Sequence, residues 1–234
     1  MALRLLLTVL LVVPALAYSN DDRPTRVIFF GNSFTYYNNS LHNHYRQLVA
    51  TQAPDLKLRT RASTISGGYL REHSQLPTLV KAETWDIVVM QDHSRGPLDH
   101  SEDFTAAARK FAKVIRARGA YPVLFMTWAY TDAPEMTAQL DKAYSDLGAE
   151  LDINVAPVGL AFATVTEDRP DIALRTADKI HPTLEGTYLA ACVFYTLLHR
   201  RSPVGIDYDA GLGKETASYL QGVAARTVID YSGR

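Results

Sequence analysis

Short, unbroken apolar runs, each closing on turn residues and followed by a stretch with helical spacing, recur along this chain and leave little choice of fold. Val27–Phe30, Ile87–Met90 and the Tyr121–Trp128 run lack polar alternation, as expected of strands covered on both faces. Such strands need helices above and below them. Strands alternating with helices through short connections make a parallel sheet with right-handed crossovers. Leu56–Ala62 alternates Leu56, Leu58, Thr60 and Ala62 with Lys57, Arg59 and Arg61, which marks a second strand at a wetter edge. A short fifth strand is expected over Asn154–Val158. Helices are expected over Leu41–Thr51 (capped by Asn39 or Ser40), from after Tyr69 to Ala82, over 102–118 and 135–151, and in a short stretch ending near Thr166. Two more are expected over Pro182–Leu198, with Pro182 in the favoured first position, and over 214–231. Residues 36–40 and 167–180 read as loops. The expected class is α/β: a three-layer α/β/α fold with a five-stranded parallel sheet in the flavodoxin-like order 2-1-3-4-5. That order gathers the loops after the first three strands at one rim.

At 234 residues, 47% hydrophobic and 21% charged, the chain can bury one sizeable core, and no linker divides it. Met1-Ala-Leu-Arg4, the aliphatic run Leu5 to Val13 and Pro14-Ala-Leu-Ala17 have the basic start, apolar core and small-residue cleavage site of a secretory signal peptide. Cleavage after Ala17 leaves a single domain, 18–234, in a secreted or periplasmic protein. The apolar run is well short of the roughly 20 residues that span a bilayer, and no other stretch is longer, so no membrane span is expected after signal removal. Removing 1–17 takes away one base, Arg4, and no acid, so the formal charge of -1 becomes -2, which offers nucleic acid nothing to bind. One cysteine, Cys192, excludes an internal disulfide.

The first strand ends in Gly31-Asn32-Ser33-Phe34-Thr35, so Ser33 stands at the carboxyl edge of the sheet, where open α/β folds bind ligands. Taken alone, Asn32 and Ser33 read as turn and cap residues. A serine becomes a nucleophile only when a base takes its proton and a carboxylate holds that base in the right tautomer. Asp178-Lys179-Ile180-His181 offers both, and Pro182 biases His181 towards extended geometry, outside the helix that follows. Stabilising an acyl-transfer oxyanion takes two or three donors. The candidates are the backbone N–H of Ser33, that of Gly67 in a glycine-bearing loop, and a side chain of Gln91 or His93 after the third strand. His42 and His44 have a metal-like spacing but diverge on a helix, and no acid or cysteine cluster completes a site, so no metal is expected. His73, His100 and His199 read as surface or core-edge residues, and Tyr36, Tyr37 and Met90 as packing. Gly211-Leu-Gly213-Lys214 lacks the spacing of a phosphate loop, and the G-x-S-x-G elbow is absent.

In order and spacing, Gly31-Asn32-Ser33-Phe34-Thr35, Ile65-Ser66-Gly67, the polar loop after the third strand and Asp178-x-x-His181-Pro182 resemble the four blocks of the SGNH (GDSL-type) hydrolases. The resemblance covers residues 26–198. It implies a flavodoxin-like fold and a serine esterase without metal or cofactor, with Ser33 as nucleophile, His181 as base, Asp178 as its orienter and Gly67 as an oxyanion donor. The third block departs: Gln91-Asp92-His93-Ser94 stands where the family has G-x-N-D. In register, His93 falls at the asparagine position, with Gln91 the other candidate. A similar Gln-containing block occurs in a divergent branch, which this chain resembles. The function expected is an exported serine esterase that hydrolyses short acyl esters, O-acetyl carbohydrates among them, through an acyl-enzyme. Its partner would be a small-molecule or carbohydrate ester. The alternatives are a catalytically impaired carbohydrate-binding module of the same fold, or a lipase- or thioesterase-type hydrolase.

Overall fold

The β-branched and aromatic runs pair as parallel strands in a computed structural model that describes residues 23–234. The expected signal peptide, residues 1–17, lies outside the described residues. Five strands, β1 (Arg26–Gly31), β2 (Arg59–Thr64), β3 (Ile87–Met90), β4 (Tyr121–Phe125) and β5 (Asn154–Ala156), stand in the order β2-β1-β3-β4-β5. All neighbours run parallel, with Gly31 beside Thr64, and Phe30 beside both Ser63 and Met90. The crossovers carry α1 (Ser33–Tyr36), α2 (Leu41–Gln52), α3 (Leu76–Ala82), α4 (Gly96–Asp99), α5 (Ser101–Arg116), α6 (Met136–Leu151) and α7 (Val158–Asp168). Two long helices, α8 (Leu184–His199) and α9 (Lys214–Ser232), follow.

Because side chains alternate along a strand, each central strand feeds two cores. Val27 and Phe29 face one way with Val89, Val123 and Phe125, and pack under α2, α7, α8 and α9. Ile28 and Phe30 face the other way with Val88, Met90 and Leu124, and pack under α3, α5 and α6. Each fully buried Phe, Val or Ile contributes about 1.5–3 kcal/mol, so β1, solvent-free from Val27 to Phe30, is firmly held on both faces. Ser33 is therefore mounted on a strand packed on both faces. Among the described residues no helix is long and apolar enough to cross a membrane.

Several boundaries differ from the sequence expectation. β2 begins at Arg59 rather than Leu56, because Leu56 and Leu58 pack their side chains against the core before the chain runs alongside Arg26. β4 stops at Phe125, where the N–H of Gly159 takes the Met126 carbonyl and frees Thr127 to Tyr130 to form a loop at the site rim. α8 starts at Leu184 rather than Pro182. Thr183 caps it by accepting from the Gly186 N–H at 3.2 Å, while Pro182 pairs with Arg175 in an antiparallel bridge. Residues 33–36 form a helical turn, so the polar loop expected over 36–40 begins only after Tyr36, and the stretch after Tyr69 breaks into a 3-10 turn and α3.

Candidate active site

Ser33 opens α1 directly off the end of β1. Asn32 is the N-cap, its side-chain oxygen accepting from the Phe34 N–H at 3.1 Å, so the capping role read for it holds. Ser33 itself is the first helical residue, buried to 7% exposure, and its own N–H makes no hydrogen bond among the described residues. The turn is tied to the neighbouring strand ends by amides. Asn32 Nδ2 donates to the carbonyls of Gly68, at 3.0 Å, and Asp92. Gln91, fully buried, accepts at Oε1 from the Thr35 hydroxyl, at 2.6 Å, and from the Asn32 N–H. Its Nε2 donates to Asn32 Oδ1 and to the Asp92 carbonyl. A Cβ on Gly31 would overlap the Gln91 amide and the Thr35 hydroxyl, which explains the glycine at that position.

His181 reaches Ser33 from the loop between α7 and α8. Its Nε2 lies 2.9 Å from Ser33 Oγ, and its Nδ1 lies 2.6 Å from Asp178 Oδ2. An ionised carboxylate can only accept, so Nδ1 carries the proton and Nε2 presents its lone pair to the serine hydroxyl. Asp178 is bound a second time: Oδ1 accepts from the Thr176 hydroxyl and from the N–H groups of Ile180 and His181, all within 2.9 Å. Burial pushes this carboxyl up, but the bonds from Ile180, from the His181 ring and backbone, and from Thr176 outweigh it and hold the group well below the usual carboxylate range. The loop is fastened at four more points. Trp128 Nε1 donates to the Ile180 carbonyl at 3.0 Å, the Thr131 N–H to that of Lys179, the Thr176 N–H to that of His181, and Asn38 Nδ2 to that of Pro182. Trp128 is itself stacked between Phe34 and Phe162, with ring centroids 4.0 and 4.1 Å away.

The expected oxyanion donors fare differently. Gly67, exposed and at φ 62°, makes no hydrogen bond with its N–H among the described residues, and its neighbour Gly68 is the residue that Asn32 binds. Gln91 is corrected as a donor: both protons of its amide are spent on Asn32 and Asp92, inside the protein. His93 keeps a free donor. Its Nδ1 accepts from the Arg95 N–H at 3.3 Å, which leaves the proton of the neutral ring on Nε2, with no partner among the described residues. Burial lowers its pKa, against Asp99 and Glu72, which raise it, and so favours the neutral ring. Tyr69 stacks on the ring at 4.7 Å and fixes its plane.

The remaining histidines split. His44 is buried between Tyr208 and the Asn38 carbonyl, and among the described residues no group of His, Cys, Asp and Glu is placed to hold a metal. His73 and His199 are buried, not at the surface or core edge as expected; His199 shares a 2.7 Å hydrogen bond with Tyr45. Sequence reasoning gave no partner to three residues that shape the site: Asn38, Trp128 and Tyr37, the last read as packing and found stacked on His181. Once residues 33–36 are seen as a helical turn, Tyr37 falls four residues after Ser33, on the same face.

No protein-family model matches the sequence, and no curated protein does. Solved structures match the fold. A DUF4886 family protein from Bacteroides uniformis superposes with a TM-score of 0.73 at 18% identity, over 87% of this chain and 94% of that one. A proposed SGNH hydrolase from Slackia heliotrinireducens matches with a TM-score of 0.63 at 26% identity, over 73% of this chain and 97% of that one. The chain has the SGNH-hydrolase fold, in a divergent form. An acetylxylan esterase from Geobacillus stearothermophilus shares this SGNH-type architecture, with a TM-score of 0.61 at 14% identity over 80% of this chain and 96% of that one. In the loop after β3, Gln91 turns inward, while His93 Nε2 keeps a donor without a partner among the described residues.

Proposed function

We propose that this chain is a serine esterase with Ser33 as nucleophile, His181 as general base and Asp178 as the carboxylate that orients it. The hydrogen-bonded relay from Ser33 Oγ through His181 to Asp178 carries the reading. A binding module has no need of a hydroxyl poised 2.9 Å from an imidazole lone pair. In the first half-reaction Ser33 Oγ attacks the ester carbonyl as its proton passes to His181 Nε2. The tetrahedral intermediate then breaks its bond to the alcohol oxygen, which leaves with that proton. Water repeats the sequence in reverse roles on the acyl-enzyme. The oxyanion would be held by the N–H groups of Ser33 and Gly67 and by His93 Nε2, with Gln91 acting behind them.

The substrate we propose is a short acyl ester, an O-acetylated carbohydrate included. Acetylxylan esterases among the proteins sharing the fold support this choice. Export through residues 1–17 belongs to the same proposal, since polymeric carbohydrate esters are met outside the cell. The deciding experiment is hydrolysis of p-nitrophenyl acetate by the wild type and by Ser33→Ala. Removing the nucleophile of such a relay costs about 10⁴-fold or more in kcat. Equal rates for the two proteins would remove Ser33 from the mechanism. A series of acyl chain lengths would then separate a short-chain esterase from a lipase.

A further inference from the structure

The face of the His181 imidazole is covered as carefully as its edges. Tyr37 lies parallel to it, ring centroids 4.5 Å apart and planes 12° from parallel, while Phe34 meets it edge-on at 6.0 Å. The stack is clamped from both sides. Asn38, next after Tyr37, donates through Nδ2 to the carbonyl of Pro182, next after His181, at 2.9 Å, and to the Thr187 hydroxyl at 2.8 Å. His44 holds the Asn38 carbonyl at 2.6 Å from below. Holding the chain there requires left-handed backbone at three successive non-glycine residues, Asn38, Asn39 and Ser40, with φ 52°, 64° and 67°. Backbone of this kind is costly and survives where its surroundings fix it, which makes it a pointer to function. The Tyr37 hydroxyl bonds to nothing among the described residues, so what the clamp delivers is the ring.

An aromatic face is electron-rich, and a cation lying over it is attracted. His181 is neutral at rest in the reaction proposed above and becomes an imidazolium only while it carries the proton taken from Ser33. Asp178 supports that cation in the plane of the ring through Nδ1–H, and Tyr37 supports it from the face. We propose that Tyr37 is a positioning residue of the esterase reaction: its ring stabilises the imidazolium that His181 becomes during each proton transfer. The inference rests on the proposed serine-esterase reading. Of the groups in contact with the imidazole, Asp178 carries the only charge among the described residues. Ser33 and Phe34 are neutral, and Lys179 is drawn aside to Asp132 at 3.2 Å.

The test compares wild type, Tyr37→Leu and Tyr37→Phe in p-nitrophenyl acetate hydrolysis from pH 4.5 to 9, and in the rate at which a fluorophosphonate labels Ser33. A cation–π contact is worth about two- to thirty-fold. Tyr37→Leu should lose that much in kcat and in labelling rate with KM little changed, and its acid limb of kcat/KM should move to lower pH, because a less stabilised imidazolium gives up its proton sooner. Tyr37→Phe, which keeps the ring, should restore most of the loss and return the limb to its place. If Tyr37→Leu leaves kcat and the limb unmoved, or Tyr37→Phe is as defective as Tyr37→Leu, the inference is overturned. If Tyr37→Leu does not fold, Tyr37→Phe against Tyr37→Met gives the same contrast. Absence of labelling in the wild type would instead strike the serine-esterase reading itself.

Discussion

Ser33 and His181 meet across 2.9 Å, yet the two sides of that contact are built in opposite ways. On the serine side, Asn32 and Gln91 are buried side-chain amides whose donors and acceptors are spent on one another and on the strand ends around them. On the histidine side, the Asp178 side chain is 47% exposed, and a surface loop holds its shape through backbone bonds to one carboxylate and through aromatic faces. Buried polar networks are high-stakes because each orphaned group loses its partner where water cannot replace it. Exposed ones are cushioned by solvent. The serine side should therefore report damage as lost stability, and the histidine side as lost rate.

The sharpest way to break this contrast is Asp178→Asn. The asparagine oxygen can still accept from Thr176, Ile180 and His181, so the loop keeps its backbone bonds and unfolding should change by less than about 1 kcal/mol. Its NH₂ would face His181 Nδ1, however, and favour the tautomer with the proton on Nε2, pointing at Ser33. A wrong tautomer costs about 10⁴-fold in kcat. Ester hydrolysis measured beside urea unfolding checks both halves; a large loss of stability with unchanged turnover would reverse the assignment of the two sides.

Gln91→Leu tests the other side. It orphans the Thr35 hydroxyl and the Asn32 N–H, and takes one bond each from the Asn32 side-chain oxygen, which keeps the Phe34 N–H, and from the Asp92 carbonyl. At about 1–3 kcal/mol for each buried group left unpaired, with partial relaxation, the expected loss is about 3–5 kcal/mol in urea unfolding. A loss under about 1 kcal/mol would mean that the packing of β1, rather than the amides, holds the serine turn.

How far the sequence carries one differs between these two sides as well. The order of the sheet was readable because period-2 and period-3.6 patterns are set by burial of whole faces, which many residues report together. That the loop bearing Asp178 and His181 would approach the end of β1 was readable only from the order of the four SGNH-like blocks, since a loop between two helices carries no pattern that fixes the sheet edge it reaches. The direction of Gln91 was not, because a glutamine carries both donors and acceptors. Only the close approach allowed at Gly31 turns it inward. That Tyr37 packs on His181 was missed because α1 is four residues long, too short to show a period, and the ring finds its partner far away in the chain. His73 and His199 were misplaced because a histidine's burial depends on the partner it meets, and an aromatic or hydroxyl partner leaves no mark in the local pattern.

The same contrast extends to acid, with the smallest effect of the three. Burial chiefly, with the positive Arg23 and Arg201 adding to it, pushes the pKa of His199 down to about 4, and burial lowers those of His44 and His73 as well. A histidine whose folded pKa lies below its ordinary 6.5 binds protons more readily when unfolded, so its contribution is complete above pH 6.5 and is lost as pH falls towards 4. For His199 alone, between pH 7 and pH 5, that amounts to about 2 kcal/mol. Asp178 behaves oppositely: its carboxyl is held below the usual range, so whatever it contributes is constant between pH 7 and 5 and is lost only in stronger acid. Mild acid should thus loosen the α2–α8 layer, where Tyr45 and His199 meet, while the charge that orients His181 stays in place. His199→Gln can still bond the Tyr45 hydroxyl but cannot take a proton, so its urea midpoint should fall less than that of the wild type from pH 7 to pH 5. Equal falls in the two proteins would move the acid sensitivity away from this buried pair and, since Asp178 does not titrate in that range, onto the other buried histidines rather than the loop.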